Sequence, residues 1–219
     1  MELSIQAVHS MSKVALKTFD HLHTAHMNRQ KKRLGGFVQY FETRYEVMSD
    51  EDKQKLNKFI ESKEGESLLA DYADSILKVS SDRVMMAMAL LFCNGADFSD
   101  VETSNFIKAS KNLDDDLINF YMLAHKRKRI ERDNIPYSRC TVSSVDCEDF
   151  TNRGWDKETI AVYIYELIQM RLLLPDPSSH GSYAGADDSW SIHYGISTRT
   201  QKIVNLIVKS QALLTDSKS

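Results

Sequence analysis

Apolar positions in the first part of the chain recur at helical spacing. The earliest stripe has steps of three, four and seven residues and predicts a long helix that runs to about Leu34. Its members are Ile5, Val8, Ala15, Phe19 and Leu22. Gly35-Gly36 predicts the end of this helix, and the aromatic stretch from Phe37 to Val47 predicts a short second one.

Capping residues predict where the following helices begin. Ser49 precedes three acidic residues that suit a helix N-terminus, Gly65 is expected to separate the third helix from the fourth, and Ser99 with Glu102 forms a capping box. Ser80-Ser81-Asp82 opens the most apolar helix, which we expect at the centre of the core. Another helix is expected to open at Asn112, Asp114 and Asp115 and to run into the basic residues 126–129.

The pattern changes after Pro136. A short helix is predicted from Val145 to Arg153, and Asp156 caps a longer one that ends near Arg171, with Trp155 packing onto Ile160 at its start. Leu172 to Leu174 predicts a short buried strand, and the alternation from Trp190 to Ile196 predicts a half-buried one. A polar loop, 175–188, joins them. Thr198 and Gln201 predict the capping box of a last helix.

Helix, helix, strand, long loop, strand and helix follow each other in the order of a winged helix-turn-helix. The fold class predicted is therefore mainly α: an N-terminal helical bundle with a long first helix, residues 1–133, and a C-terminal winged-helix-like module with a small β-hairpin, residues 134–219. Residues 134–141 are expected to link them. The alternative is a helical protein with an incidental hairpin.

Charge and composition restrict the partners and the compartment. In 219 residues, 28 Lys and Arg against 31 Asp and Glu give a formal net charge of −3, so the chain as a whole does not attract polyanions. No apolar run reaches the roughly 20 residues that span a bilayer, and the first residues lack the pattern of a secretory signal, so we expect a cytoplasmic protein. Three cysteines without a metal-binding spacing are expected to be reduced, with Cys93 in the core.

Two basic clusters are candidates for phosphate contact. The first cluster, expected at the end of the first helix, consists of Arg29, Lys31, Lys32 and Arg33. The second cluster, which precedes the winged module, consists of Lys126, Arg127, Lys128, Arg129 and Arg132. At helix C-termini the helix dipole favours cations without any ligand, so both have a structural explanation. The residues of a nucleic-acid interface would be Lys126, Arg127, Lys128, Arg129, Arg132, Lys157, Gln169 and Arg171. The predicted wing, with Asp176, Asp187 and Asp188 and no cation, would repel phosphates.

Motifs of catalysis and metal binding are missing from the sequence. There is no phosphate-binding glycine loop, Ser-His-Asp pattern or zinc-protease motif, so we expect no enzyme activity and no cofactor. His21, His23 and His26 do not share one helical face, and the acidic triplets 50–52 and 114–116 suit helix starts better than a metal.

The layout resembles a class of bacterial helical proteins linked to phage resistance, of the abortive-infection alpha type. The similarity lies in the long first helix, in Phe41-Glu42-Thr43-Arg44, in the step Ser81-Asp82-Arg83 and in the apolar turn Leu172-Leu173-Leu174 before the end of the chain. The resemblance implies a winged C-terminal segment and a setting in phage defence, and it supplies no catalytic residues.

These observations favour a non-enzymatic interaction or regulatory protein that docks a protein partner through its winged module. The alternative is a DNA-binding transcriptional regulator that uses the second basic cluster. The apolar stripe of the first helix also predicts a homo-oligomer, with Ile5, Val8, Phe19 and Leu22 as the self-association surface.

Overall fold

The computed structural model describes residues 13–93, 99–131, 133–177 and 190–216. Within them the protein is mainly α-helical, with nine helices and one small three-stranded antiparallel sheet. The predicted fold class is therefore confirmed at the level of helical content, the long first helix and the small sheet.

The first described helix, α1, spans Lys13–Glu46 and passes through both glycines that were expected to end it. The expected break at Gly35-Gly36 and the separate aromatic helix are wrong. Phe37 is buried, and α1 packs along the later helix Asp82–Cys93. These tertiary contacts outweigh the low helix propensity of glycine. A Cβ on Gly36 would lie 3.2 Å from Sδ of Met85, so this glycine permits a close helix approach.

Five further helices complete the first part of the chain. They are α2 (Asp50–Ile60), α3 (Lys63–Ile76), α4 (Asp82–Cys93), α5 (Asp100–Ser110) and α6 (Asp115–Ala124). The predicted caps Ser49, Ser99 and Asp114 are confirmed, since each side chain accepts a backbone N–H of the first turn. Gly65 does not separate two helices but lies in the first turn of α3, where Ser62 is the cap and a Cβ would collide with the carbonyl of Phe59.

Helix α4 is the centre of the core, as predicted. Every side chain from Val84 to Cys93 is buried, because α1 packs on one side of the helix and the last helix of the chain, α9, packs on another. The Ser81-Asp82-Arg83 step ties α4 to α6. The hydroxyl of Ser81 and Nε of Arg83 both donate to Asp115, at 2.7 and 2.9 Å.

The second part of the chain alternates short helices with strands. Its elements are β1 (Ser138–Ser143), α7 (Glu148–Thr151), α8 (Lys157–Gln169), β2 (Leu174–Pro175), β3 (Ser191–Ile196) and α9 (Thr198–Asp216). All pairs are antiparallel, and the sheet order is β1-β3-β2, with Cys140 opposite Tyr194.

Four sequence expectations need correction here. The expected linker, 134–141, overlaps strand β1, which has only two apolar residues, Cys140 and Val142, too few to distinguish it from a loop in the sequence. Helix α7 is much shorter than 145–153, and Leu172 and Leu173 are buried ahead of β2 rather than within it. The last capping pair is Ser197 and Thr200, each accepting the other's backbone N–H.

The buried side chains form one continuous hydrophobic cluster across the predicted boundary at residue 133. The hydroxyl of Tyr121 in α6 donates to the carbonyl of Thr200 in α9 at 3.0 Å, and that of Tyr194 in β3 donates to the carbonyl of Ala124 at 2.8 Å. The division into residues 1–133 and 134–219 stays a prediction, and α6 and α9 are the elements that join its two halves.

Candidate interaction surface

Helix α8 occupies the position that the sequence assigns to a recognition helix. The side chain of Asp156 caps it by accepting the N–H of Thr159 at 2.7 Å, and this bond lowers the pKa of Asp156. Ile160, Ile164 and Leu167 recur at helical spacing and are buried. One face of α8 is thereby fixed against the core, and the opposite face is presented outward.

An aromatic and acidic cluster fixes the angle at which α8 leaves the preceding turn. Trp155 is buried against Phe120 and Phe150, with ring centroids 5.2 and 6.2 Å away, and its Nε1 donates to both carboxylate oxygens of Asp116 at 3.0 and 3.2 Å. Tyr163 donates to the same carboxylate at 2.8 Å, which raises the pKa of Tyr163 to about 12. Trp155 therefore anchors α8 to α6 and α7, whereas its predicted packing onto Ile160 stays a prediction.

The outward face of α8 combines apolar and acidic side chains. Val162 and Tyr165 are 46% and 58% exposed. Glu158 and Glu166 are exposed and lie four residues before and after Val162, so all of them share one side of the helix. Sequence reasoning missed Val162 and Tyr165, although both lie off the buried stripe, which is the signal that could have found them.

The nucleic-acid candidates on this helix are dispersed. Lys157 is exposed at the first turn of α8 and Gln169 is exposed at its last residue, so they lie about 18 Å apart at the rise of an α-helix. Arg171 follows the helix with a positive φ of 60° and points its Nη1 toward Oδ1 of Asn105 at 3.5 Å. The structure therefore does not bring these three side chains into one patch.

Arg127 of the second basic cluster is built into the fold. Its side chain is only 8% exposed, its Nε donates to the carbonyl of Thr141 at 2.9 Å, and its terminal nitrogens pair with Asp146 and Asp149. The guanidinium also lies 5.5 Å from the ring centroid of Phe150. Burial opposes the charge, but the hydrogen bonds to the two carboxylates outweigh it and raise the pKa of Arg127. This placement argues against Arg127 as a phosphate ligand.

The other members of this cluster follow the C-terminus of α6. Lys126 and Lys128 are exposed directly after the end of the helix, and Arg129 is exposed but donates to the side-chain oxygen of Gln201 in α9. Arg132 lies outside the described residues. The helix that was expected to run into residues 126–129 ends at Ala124 instead, and its last turn holds no basic residue, so the helix dipole explains little of this cluster.

The loop after β2 is described only as far as residue 177. Its first acid, Asp176, pairs with Arg139 of β1 at 3.1 Å, so its charge is compensated within the sheet. Asp187 and Asp188, on which the expected repulsion of phosphates mainly rests, lie outside the described residues.

The predicted self-association surface is only partly described. Ile5 and Val8 lie outside the described residues, and Leu22 is 65% exposed beside Phe19 on α1. The exposure of Phe19 and Leu22 is compatible with contact between copies, which stays a prediction.

Among the described residues there is neither a membrane-spanning helix nor a metal-binding cluster. No helix there has the length and apolar character needed to cross a membrane. No group of three or more His, Cys, Asp or Glu side chains there is arranged to hold a metal ion.

Comparison of the chain with protein-family models, with curated proteins and with solved structures found no match. The resemblance to phage-resistance proteins thus stays an expectation.

Proposed function

We propose that the protein is a non-enzymatic interaction or regulatory protein whose C-terminal part is a winged helix-turn-helix used for protein docking. The support for the module is topological. Helix α6, strand β1, helices α7 and α8, strands β2 and β3 follow in that order, and the sheet order β1-β3-β2 pairs the last strand with both others. A setting in phage defence rests on the resemblance alone.

The single observation that carries the docking proposal is the outward face of α8. A helix that reads a DNA groove needs Arg, Lys, Asn or Gln near its centre, facing bases and phosphates. Here the centre holds Val162 and Tyr165 with Glu158 and Glu166 on either side. Two like charges would repel a phosphate backbone, whereas exposed tyrosine and valine suit a protein interface. The partner would offer an apolar surface flanked by Lys or Arg.

Site-specific crosslinking tests this proposal. A photoreactive residue is placed at Val162 in one sample and at Val208 of α9, which has the same 46% exposure, in another. In cells that produce the protein naturally, we expect a discrete adduct from position 162 that Glu158→Lys with Glu166→Lys abolishes, and none from position 208. Equal adducts from both positions, or none from 162, would contradict docking through α8.

Substitution of the second basic cluster distinguishes DNA binding by the module from protein docking. We expect Lys126→Gln, Lys128→Gln and Arg129→Gln together to leave duplex DNA affinity at about 150 mM salt unchanged. A loss of more than tenfold in this variant, with no comparable loss in a variant that removes three positive charges elsewhere, would favour DNA binding by the module over protein docking.

A further inference from the structure

The first basic cluster, Arg29, Lys31, Lys32 and Arg33, loses its structural explanation in the folded protein. It was expected to close a helix at Leu34, where the dipole would favour cations. Helix α1 instead continues to Glu46, so these residues lie in its interior. The helix dipole stabilises cations only in the last turn of a helix, so it does not stabilise these four in the helix interior.

The charges of this cluster are also not neutralised by acidic partners. Among the described residues, Arg29, Lys31 and Lys32 form no ion pair, and Arg33 donates through Nη1 to the carbonyl of Leu77 at 2.6 Å. Arg29 and Arg33 are four residues apart on one helix face, which is a repulsive arrangement. Burial and, second, the charge of Arg29 lower the pKa of Arg33. An exposed cation, Lys78, directly follows Leu77 and adds to the positive charge at this place.

The cluster lies at the base of a helical segment that stands clear of the fold. Every side chain from Lys17 to Arg29 is exposed. Residues 13–34 hold six Lys or Arg and one Asp, a formal charge of +5, while the remainder of the chain carries −8. The protein is therefore strongly polarised, although its net charge is only −3.

The geometry of this segment matches a duplex groove. An α-helix is about 10–12 Å wide with its side chains, close to the roughly 12 Å of the DNA major groove. At about 100° per residue, Lys31 and Arg29 leave the helix on nearly opposite sides, with Lys32 on the arc between them, and all three are exposed. Cations on both sides can face the phosphates on both walls of a groove.

Other occupants fit the segment less well. A lipid surface requires a strongly apolar face, but the face with Phe19 and Leu22 also carries His23, which stacks on Phe19, and His26, which is hydrogen-bonded to Gln30 at 2.8 Å. A second copy of the same helix would bring positive segments together at either orientation. Polyphosphate chemistry accounts for the charges best.

We propose that the exposed segment of α1, from Lys17 to Lys32, binds the phosphate backbone of double-stranded DNA, with Arg29, Lys31 and Lys32 as the main contacts. The surface is separate from the outward face of α8, so the two proposals fail independently. The acidic remainder of the chain would confine the nucleic acid to this segment.

The test is fluorescence anisotropy with labelled 24-base-pair duplexes of DNA and of RNA, titrated from 50 to 300 mM KCl with the full-length protein. The variant carries Arg29→Gln, Lys31→Gln and Lys32→Gln. With about 0.9 counterions released per contact to duplex DNA, we expect its salt slope to fall by about 2.7 and its affinity at 150 mM to drop at least tenfold. We expect the DNA duplex to bind more tightly than the RNA duplex, because the major groove of A-form RNA is deep and narrow.

The matched control carries Lys126→Gln, Lys128→Gln and Arg129→Gln, which removes the same number of positive charges from the second cluster. We expect it to retain the affinity within about twofold. Circular dichroism confirms that the α1 variant keeps its helix content, as Gln and Lys have similar helix propensity.

Three results would overturn the proposal. The first is no duplex binding even at 50 mM KCl, and the second is an equal loss in the variant and in the control, which would show an effect of net charge alone. The third is a preference for vesicles with anionic lipid over both duplexes at the same salt concentration.

Discussion

At the scale of single residues, His125 is a titratable side chain buried in the core. It is 5% exposed at the end of α6, and its ring stands edge-on to Tyr121 with centroids 4.9 Å apart. Neither ring nitrogen has a hydrogen-bond partner of good geometry among the described residues. The nearby side chain of Gln201 acts to raise the pKa of His125. Burial and, second, the charge of Arg129 lower the pKa of His125 to about 4. The ring is therefore neutral at pH 7 and behaves as an apolar group.

A pH dependence of stability follows from this burial. Because the pKa of His125 is about 6.5 in the unfolded chain and about 4 in the folded protein, the unfolded state binds the proton first as the pH falls. The contribution of His125 to the free energy of unfolding is fully present above pH 6.5. It is lost between pH 6.5 and 4, where it amounts to up to about 3 kcal/mol.

The variant His125→Leu isolates this contribution. We expect it to be at least as stable as the natural protein at pH 7, because the ring nitrogens make no hydrogen bond of good geometry that would be lost, and to lose less stability between pH 6.5 and 4. Urea unfolding followed by circular dichroism at several pH values measures both. Parallel stability curves for the two proteins would show that His125 does not titrate in this range.

At the scale of elements, the start of α8 depends on contacts to α6 and α7. Trp155 donates to Asp116 and lies edge-on to Phe120, so a single side chain sets both the position and the direction of the helix that presents Val162 and Tyr165 outward. A residue outside the helix thereby controls the geometry of α8.

Substitution of Trp155 separates its packing from its hydrogen bond. We expect Trp155→Ala to lower the free energy of unfolding by about 3 to 5 kcal/mol, because it removes a large buried ring, and Trp155→Phe to cost about 1 to 2 kcal/mol, because packing is partly kept while the N–H is lost. Thermal unfolding followed by circular dichroism provides the measurement. Trp190→Phe, at a half-buried position, is the control, and a similar loss in all three variants would refute the anchoring role.

At the scale of the whole molecule, α9 closes the core. It is the last helix of the chain, yet it packs on α4, whose other side is covered by α1. Both halves of the predicted division therefore contribute to one hydrophobic cluster, and we expect them to unfold together.

The variant Ile207→Ala tests this coupling. Ile207 is fully buried in α9, and we expect its truncation to cost about 2 to 4 kcal/mol. The helical signal, which comes mainly from the first half, and the fluorescence of Trp155 and Trp190 in the second should shift to the same new midpoint. Val208→Ala, at the neighbouring exposed position, should leave the midpoint nearly unchanged. Two separate transitions would show that the halves fold independently.

The sequence by itself determined the features that depend on local chemistry. Ser49, Ser99 and Asp114 cap helices where their hydroxyl or carboxylate follows a break in the apolar pattern, because capping needs only the first turn of the helix. The unbroken apolar run of α4 also predicted the core, because so many adjacent apolar side chains cannot all face water. The cap of α8 at Asp156 was found in the same way.

Only the tertiary structure decided features that depend on distant partners. Gly35-Gly36 lies inside α1 because the contact with α4 outweighs the weak local preference of glycine to end a helix. Strand β1 exists because β3 supplies its hydrogen bonds, which no local pattern reveals. The two basic clusters differ for the same kind of reason. Arg127 is enclosed by Asp146 and Asp149, whereas Arg29 is exposed in the interior of α1, since charge in a sequence does not tell which side chains find a partner when the chain folds.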